Sequence, residues 1–574
     1  MKQVVFFLIF FLSLLGQQAF SQEKKWLQLE LSGGITQRQI LAFEDTLVLV
    51  NYVKSRYQEI ALLGYLNPLA MPQSSSSDTL SLHIQTGERF EWLHLGRGNV
   101  DPLLWVKSGI DVKQFQNKPF EYEEVAKVFA VLLRESENSG FPFSSIKLDS
   151  IQRAGKGFSA SLNLDPGPFI SFDSLRITGN SKINPTYLSK LLQIRPGDPF
   201  SQKKVDQGIG QIKNLPYLRW EGEPELSFQN EEAILYLPLN DRRMNTLDGI
   251  IGFLPNEIEN NKLLVTGQFD LALYNVGGRG RNYQLNWQRL SQYSQNLKVS
   301  GIEPLILGSM LDIKASFYLL KEDTTFLNRD FRVDLGYRPN ANGYLSFFYR
   351  RQAGDLLAVS DLGQITTLPE FLDFRFNNYG VQYELFLLDD VFQARRGFYG
   401  QFEFGVGNKS ILQNTGIPQS VYEGLDAKTV QYFVKGALKK YFYLNQNFGA
   451  FTGLSAGMMD SKNLFGNDLY RLGGLKSIRG FNENYFFAQN YIYFNVEPRF
   501  YFDTYSYFLI FADLGRLGNN VQGFPADYPV STGVGISLET GSGIFNFIYA
   551  LGKSNAQEFV LNFSKIHFGY TGRF

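Results

Sequence analysis

The 574-residue chain has no cysteine and only three histidines, His83, His94 and His567. Disulfides and thiolate metal sites are therefore excluded, and a lipoprotein anchor has no residue to attach to. A histidine-built metal centre is not expected either. Neither sign of charge is in excess, because 55 Lys+Arg balance 55 Asp+Glu. That leaves no electrostatic case for nucleic acid as a partner. Past the N-terminus no unbroken apolar run approaches the roughly 20 residues a spanning helix needs, which excludes a helical membrane protein. What is abundant is aromatic: 15% of residues, including 52 Phe and 31 Tyr, beside 54 Gly. Aromatic girdles and glycine-containing strands are one way to reach that composition.

The first residues read as an address. Lys2 supplies a positive start, Val4 to Leu15 is an apolar stretch too short to span, and Ala19-Phe20-Ser21 has the small-x-small form of a cleavage site. A signal peptide over 1–21 and a mature chain from near Gln22 are expected.

Two grammars follow. From Lys24 to about Asn240 the chain repeats itself: Gly64-Tyr65, Gly140-Phe141 and Pro216-Tyr217 are evenly spaced (140 − 64 and 216 − 140 are both 76). Each pair closes a helical pattern, at Ile40 to Leu63, Tyr122 to Ser139 and Lys203 to Leu215. Alternating strands come next, such as Leu80-Ser81-Leu82-His83-Ile84-Gln85 and Phe158 to Leu164, and new strands open at Phe90 to Leu95 and Phe169 to Ile177. A period of this size predicts tandem α+β modules, here over 24–90, 91–170 and 171–241. The first is the least regular, as terminal repeats often are.

The third module contains Ser174-Leu175-Arg176-Ile177-Thr178-Gly179-Asn180 and then Gly197-Asp198-Pro199-Phe200. This resembles a POTRA domain, in which a first strand ends in Gly-Asn and a Gly-x-x-Phe turn separates the helices. Gly179 and Gly197 are read as turn positions that favour positive φ. Lys118-Pro119-Phe120 and Gly140-Phe141-Pro142-Phe143 are weaker counterparts in the second module.

After Asn240 alternation takes over. In Tyr491 to Phe502 one face reads Ile492, Phe494, Val496, Pro498, Phe500 and Phe502, and the other Tyr491, Tyr493, Asn495, Glu497, Arg499 and Tyr501. Periodicity alone also fits a soluble sandwich; the leader, the aromatic faces and the length favour an antiparallel transmembrane β-barrel over 245–574. At roughly 9–11 residues per strand plus turns and loops, this span holds on the order of 16 strands. The last strand has to meet the first, near Thr246 to Phe253, because unpaired backbone in lipid costs several kcal/mol. Gly249, Gly252 and Gly569 are expected to keep that seam weak. Phe568, Gly569, Tyr570 and the terminal Phe574 resemble the C-terminal signal read by the outer-membrane assembly machinery, although Gly572 stands where that signal usually has an apolar residue.

Inside the barrel span, Leu472-Gly473-Gly474-Leu475-Lys476-Ser477-Ile478-Arg479-Gly480-Phe481 departs from strand grammar. It resembles the inward-folded loop of the BamA/TamA-type outer-membrane assembly factors and their two-partner secretion relatives. Arg479, Gly480 and Phe481 match the loop tip. Glu497 and Asp513 match the acidic partners on the barrel wall, and Asn275-Val276-Gly277-Gly278-Arg279-Gly280 resembles the turn after an early strand. An arginine placed against a wall requires carboxylate acceptors, and alternation puts Glu497 on the polar face.

One hydrolase-like order exists, Gly453-Leu454-Ser455-Ala456-Gly457 followed by Asp513 and His567. The motif needs a strand-to-helix turn, and here it sits within a strand pattern, so no enzyme and no cofactor are expected. The resemblance implies an insertase or translocase. Its expected partners are unfolded outer-membrane or secreted client proteins, outer-membrane lipid, and a periplasmic or inner-membrane accessory protein. Three arm units look closer to the TamA side than to BamA, which usually has more. Two-partner secretion of a dedicated passenger is the alternative; those relatives typically carry two POTRA units and a plugging N-terminal helix. A passive porin needs neither the loop nor the repeats.

Overall fold

A computed structural model describes residues 24–574 apart from 76–77, 257–261, 290–293, 323, 360–361, 391–392, 522 and 542. The leader expected at 1–21 lies outside the described residues. The chain forms two compact units, one reaching Ser171 together with Pro199–Gln202, the other comprising Phe172–Asp198 and Lys203–Phe574.

The first unit contains two four-stranded sheets. In the first sheet, Lys25–Ser32 pairs antiparallel with Gln37–Phe43 and parallel with Thr79–Gln85, which pairs with Leu69–Ser75. The sequence pattern placed Ile40 to Leu63 in a helix, and the structure corrects its start. Ile40 to Phe43 belong to a hairpin strand whose turn contains Gly33 at φ +104°. The helix begins only at Thr46–Leu62, where Asp45 accepts the Val48 amide at 2.8 Å. An N-cap of this kind satisfies one of the orphan amides of a helix start and is worth about 1 kcal/mol. Leu27, Leu29, Leu31, Leu49, Ile60 and Ile84 form the core.

The second sheet runs in the order Lys118–Pro119, Glu91–Gly96, Gly157–Asp165, Ser145–Ala154. The helix Tyr122–Glu137 turns Val125, Val128 and Leu132 onto it, a stripe at helical spacing. Trp92 is buried among Phe115, Phe120 and Phe158, with ring centroids 5.9, 5.4 and 4.3 Å away. Burying each such ring is worth roughly 1.5–3 kcal/mol.

The second unit begins with a three-stranded sheet of Ser171–Ile177, Glu225–Gln229 and Glu232–Leu237, covered by the helices Pro185–Leu192 and Gln202–Lys213. These helices approach closely because Gly208 has no Cβ; one there would lie 2.6 Å from Leu192 Cγ. The strands that follow, from Thr246–Asn256 to Lys565–Arg573, close an antiparallel barrel of sixteen, counting Phe524–Asp527 and Val530–Thr540 as two parts of the fourteenth.

The barrel inverts the burial rule of a soluble fold. Phe347, Phe402, Phe508, Ile510, Val534 and Ile566 are exposed on its outside. Asp312, Asp334, Asn378, Glu403 and Asp513 are buried on its inside. In the twelfth strand, Asn490–Tyr501, Ile492 and Phe494 are exposed while Glu497 is buried. Alternation at period 2 makes this possible, and an outward apolar band is what lipid requires. Arg332 joins two of these inner acids, donating to Asp334 at 2.9 Å and to Glu403 at 2.7 Å.

Candidate functional site

Between the eleventh strand, Phe448–Ser461, and the twelfth, the chain folds into the barrel. A short pairing of Tyr470–Leu472 with Phe486–Ala488 brackets the inward segment. Gly473 and Gly474, at φ +109° and +90°, turn the chain at its base.

At the tip Arg479 is 6% exposed and makes four hydrogen bonds to two carboxylates. Its backbone amide and Nε both donate to Asp513 Oδ2 at 2.9 Å, and Nη2 donates to Asp513 Oδ1 at 2.7 Å. Nη1 reaches Glu497 Oε2 at 2.8 Å. This is the fork geometry for which a guanidinium is suited and an ammonium is not. Phe481 is fully buried, 4.7 Å centroid to centroid from Phe486. Gly480, at φ +83°, lies so close to the wall that a Cβ would be 2.9 Å from the Gly552 amide nitrogen.

The structure therefore brings together Arg479, Gly480, Phe481, Glu497 and Asp513. It also adds residues that were not singled out. Asn495 Nδ2 donates to Asp513 at 2.8 Å, and to the Ser477 carbonyl at 3.0 Å. Arg499 donates to Glu497 at 2.7 Å. The Phe511 ring lies 3.7 Å beneath the Arg479 guanidinium. Alternation could have found Asn495 and Arg499, two residues either side of Glu497, and Phe511, two before Asp513. Gly552 gave no signal: it matters because a Cβ there would be 2.7 Å from the Phe481 ring.

A second ion pair was missed. Lys409, on the ninth strand (Gly397–Ile411), is fully buried, paired with Asp468 of the infolded segment and donating to the Asn463 carbonyl at 2.9 Å. Its ammonium lies 4.9 Å from the Phe374 and Phe465 rings. Asp468→Ala strands this cation in a dry pocket, at an expected cost of about 3–5 kcal/mol to the segment's docking. Faster tryptic cleavage at Lys462 checks it, and an unchanged digest would sink it.

The seam between the first and last strands is short. Thr246 pairs with Arg573 and Leu247 with Gly572, while the first strand pairs with the second from Thr246↔Ala272 to Asn256↔Lys262. Gly249 and Gly252 lie opposite Phe269 and Thr266 of the second strand, and Gly569 lies opposite Asn546 of the fifteenth. These glycines are thus not opposite one another across the seam. Phe568 pairs with Phe547. The Tyr570 ring lies tilted against Phe545, 4.3 Å between centroids. The Phe574 amide donates to the Asn245 carbonyl at 3.0 Å.

The remaining predicted positions lie in the third module and its barrel turn. Gly197 has φ +84°, as a turn requires. Gly179 does not adopt positive φ; it is needed because a Cβ there would sit 2.1 Å from the Leu239 carbonyl oxygen. The Asn180 amide donates to Asn240 Oδ1 at 2.7 Å. In the turn after the second barrel strand, Asn275 is held at φ +52° and its side chain accepts the Gly280 amide at 2.9 Å. Gly278 and Gly280 let this turn meet the third module: the Asn184 amide donates to the Gly278 carbonyl at 2.8 Å. A Cβ on Gly280 would lie 2.3 Å from the Tyr187 hydroxyl. Tyr187 and Tyr217 share a hydrogen bond of 3.1 Å, and burial pushes both phenols up, which keeps them neutral. Gly280→Ala, with φ +70° as well as the clash, is expected to cost about 1–3 kcal/mol and to loosen the docked module. Faster trypsin cleavage at Arg242 and Arg243 is the readout; equal rates would argue against the contact.

The hydrolase-like order does not assemble from a turn. Ser455 lies within the eleventh strand, opposite Tyr493. Asp513 has both carboxylate oxygens on Arg479.

Three comparisons bear on kinship. Residues 170–226 match the POTRA family, described as surface antigen variable number repeat. The outer membrane protein assembly factor BamA of Neisseria meningitidis serogroup B is 20% identical over 326 residues, which cover 53% of this chain and 39% of that protein. The chain thus matches about two fifths of that relative's length. Among solved structures, CdiB from Acinetobacter baumannii (12% identity) and CdiB from Escherichia coli (14%) both give a TM-score of 0.54. Each alignment covers 92% of this chain, with 97% and 98% of the CdiB chains, and is a likeness of fold. A stretch that matches the POTRA family thus lies ahead of a closed sixteen-stranded barrel, and the chain is similar in sequence to a BamA assembly factor and in fold to the CdiB proteins.

Proposed function

We propose that this chain is an outer-membrane protein insertase or translocase of TamA-like type. The N-terminal POTRA units, lying in the periplasm, receive unfolded client proteins, and the barrel assembles them into or across the membrane. The observation that carries this reading is the seam. Among the described residues the barrel is closed by two residue pairs, while the last strand joins its other neighbour from Gly543↔Gly572 to Ala550↔Lys565. Among the described residues no pair with the last strand extends past Leu247 on the first strand, and a strand edge of that kind is a template for another strand. The free edges of Gln37–Phe43 and Ser145–Ala154 give the arm comparable templates. The reading needs neither a catalytic residue nor a cofactor; it leaves room for a periplasmic or inner-membrane accessory protein on the arm.

Depletion of the chain, followed by quantification of the outer-membrane proteome, tests the reading. Several barrel clients are expected to fall together. Loss of one secreted passenger with the rest unchanged would favour two-partner secretion, whose fold the CdiB structures share. Against that second reading stand the three N-terminal α+β modules, where two-partner relatives typically carry two POTRA units.

A further inference from the structure

A cavity of about 690 Å³ lies where the helix Pro185–Leu192 faces the barrel turns 277–280 and 304–310. Lys190 and Arg279 line it, and neither has an ion-pair partner among the described residues. Arg281, also in the lining, is paired with Glu303 at 2.7 Å.

The far wall is a turn in an unusual state. Leu305 and Leu307 hold φ of +52° and +51°, a region that costs a leucine on the order of 1–3 kcal/mol. Asp312 pins the turn: fully buried, it accepts the Leu305 amide at 3.0 Å and pairs with Arg338 at 2.6 Å. The outcome is a Leu307 side chain with 103% relative exposure.

A leucine held outward against strain needs an apolar neighbour, and the lipid-facing band supplies one. Val299, Ile313 and Leu335 point outward on the adjoining strands. Tyr337 pairs with Leu311, the first residue after the turn, and Tyr283 with Gly301, just before it; both tyrosines are 43% exposed. Tyrosines at the end of such a band mark the headgroup level. The turn that carries Leu307 joins two of these strands, Gln295–Glu303 and Leu311–Glu322, at the end marked by these tyrosines.

We propose that this cavity binds the phosphodiester headgroup of an anionic membrane glycerophospholipid. Arg279 and Lys190 take the phosphate, and Leu307 rests against the glycerol and the first methylenes. The Arg279 fork suits phosphate oxygens bidentately, while Lys190 acts as a point charge. A lipid held there touches both the third module and the barrel turn, so it ties that module to the barrel. The inference is independent of which client the barrel serves.

The same cations could hold free phosphate, and the test separates the two sources. The full-length protein, purified in detergent, is titrated with phosphatidylglycerol and the bound lipid is counted by native mass spectrometry. Removing each cation is expected to weaken binding about fivefold, so Arg279→Gln with Lys190→Gln weakens it about twenty-five-fold. Leu307→Asn, which tolerates the left-handed backbone, is expected to weaken it several-fold. Folded barrel is verified for every variant by its heat-dependent gel mobility. Unchanged lipid retention in the double variant overturns the site. Full displacement by millimolar inorganic phosphate, or wild-type affinity in Leu307→Asn, overturns the lipid and leaves a free-anion site.

Discussion

Arg479→Ala is expected to cut the population with a docked loop by about two to three orders of magnitude, and client assembly with it. Asp513 is fully buried, and three of the four hydrogen bonds from Arg479 end on it. One of those comes from the backbone amide and survives the substitution, as does the bond from Asn495. The carboxylate nevertheless loses its only ion-pair partner among the described residues, which for a buried pair costs about 3–5 kcal/mol. Glu497 fares better, since Arg499 still donates to it at 2.7 Å. Asp513→Asn should therefore be more damaging than Glu497→Gln. The double variant Arg479→Ala/Asp513→Asn should recover part of the loss, because it removes the stranded charge. Reconstituted assembly of a model barrel client, beside heat-dependent gel mobility of the chain itself, gives the readout. Wild-type assembly by Arg479→Ala would remove the loop from the mechanism.

Locking the seam is expected to abolish client assembly. Leu247→Cys with Gly572→Cys places a disulfide across one of the pairs that close the barrel among the described residues. The chain's lack of native cysteine means no other thiol competes. The choice differs from a bridge between Gly249 and Gly569, because those glycines pair with the second and fifteenth strands rather than with each other. Oxidised protein should lose nearly all assembly, reductant should restore it, and either single variant should behave as wild type. Full activity of the oxidised form, with the crosslink verified by mass spectrometry, would mean that clients do not pass between these strands.

Much of this architecture was legible because the controlling patterns are local. Alternating polarity specifies which face of a strand meets lipid, and it alone places Ile492 and Phe494 on one side and Glu497 on the other, as the structure has them. Repeat spacing announced the α+β modules for the same reason: each carries its own core. The pattern misled at Ile40, where an apolar residue in a hairpin strand was read as helix, because short apolar runs fit both periods. Gly179 was read as a turn residue, but only the neighbouring Leu239 carbonyl reveals why a side chain is forbidden there.

The sequence by itself determined the barrel, the repeated arm and the three charged residues of the loop site, since each follows from spacing along one strand or one motif. Only the tertiary structure decided what lies across from what: Gly552 beneath Phe481, Lys409 against Asp468, Gly280 against Tyr187, and Leu247 against Gly572 at the seam. Those contacts join segments tens to hundreds of residues apart. Their energies depend on the shape and dryness of a closed barrel, which no local pattern encodes.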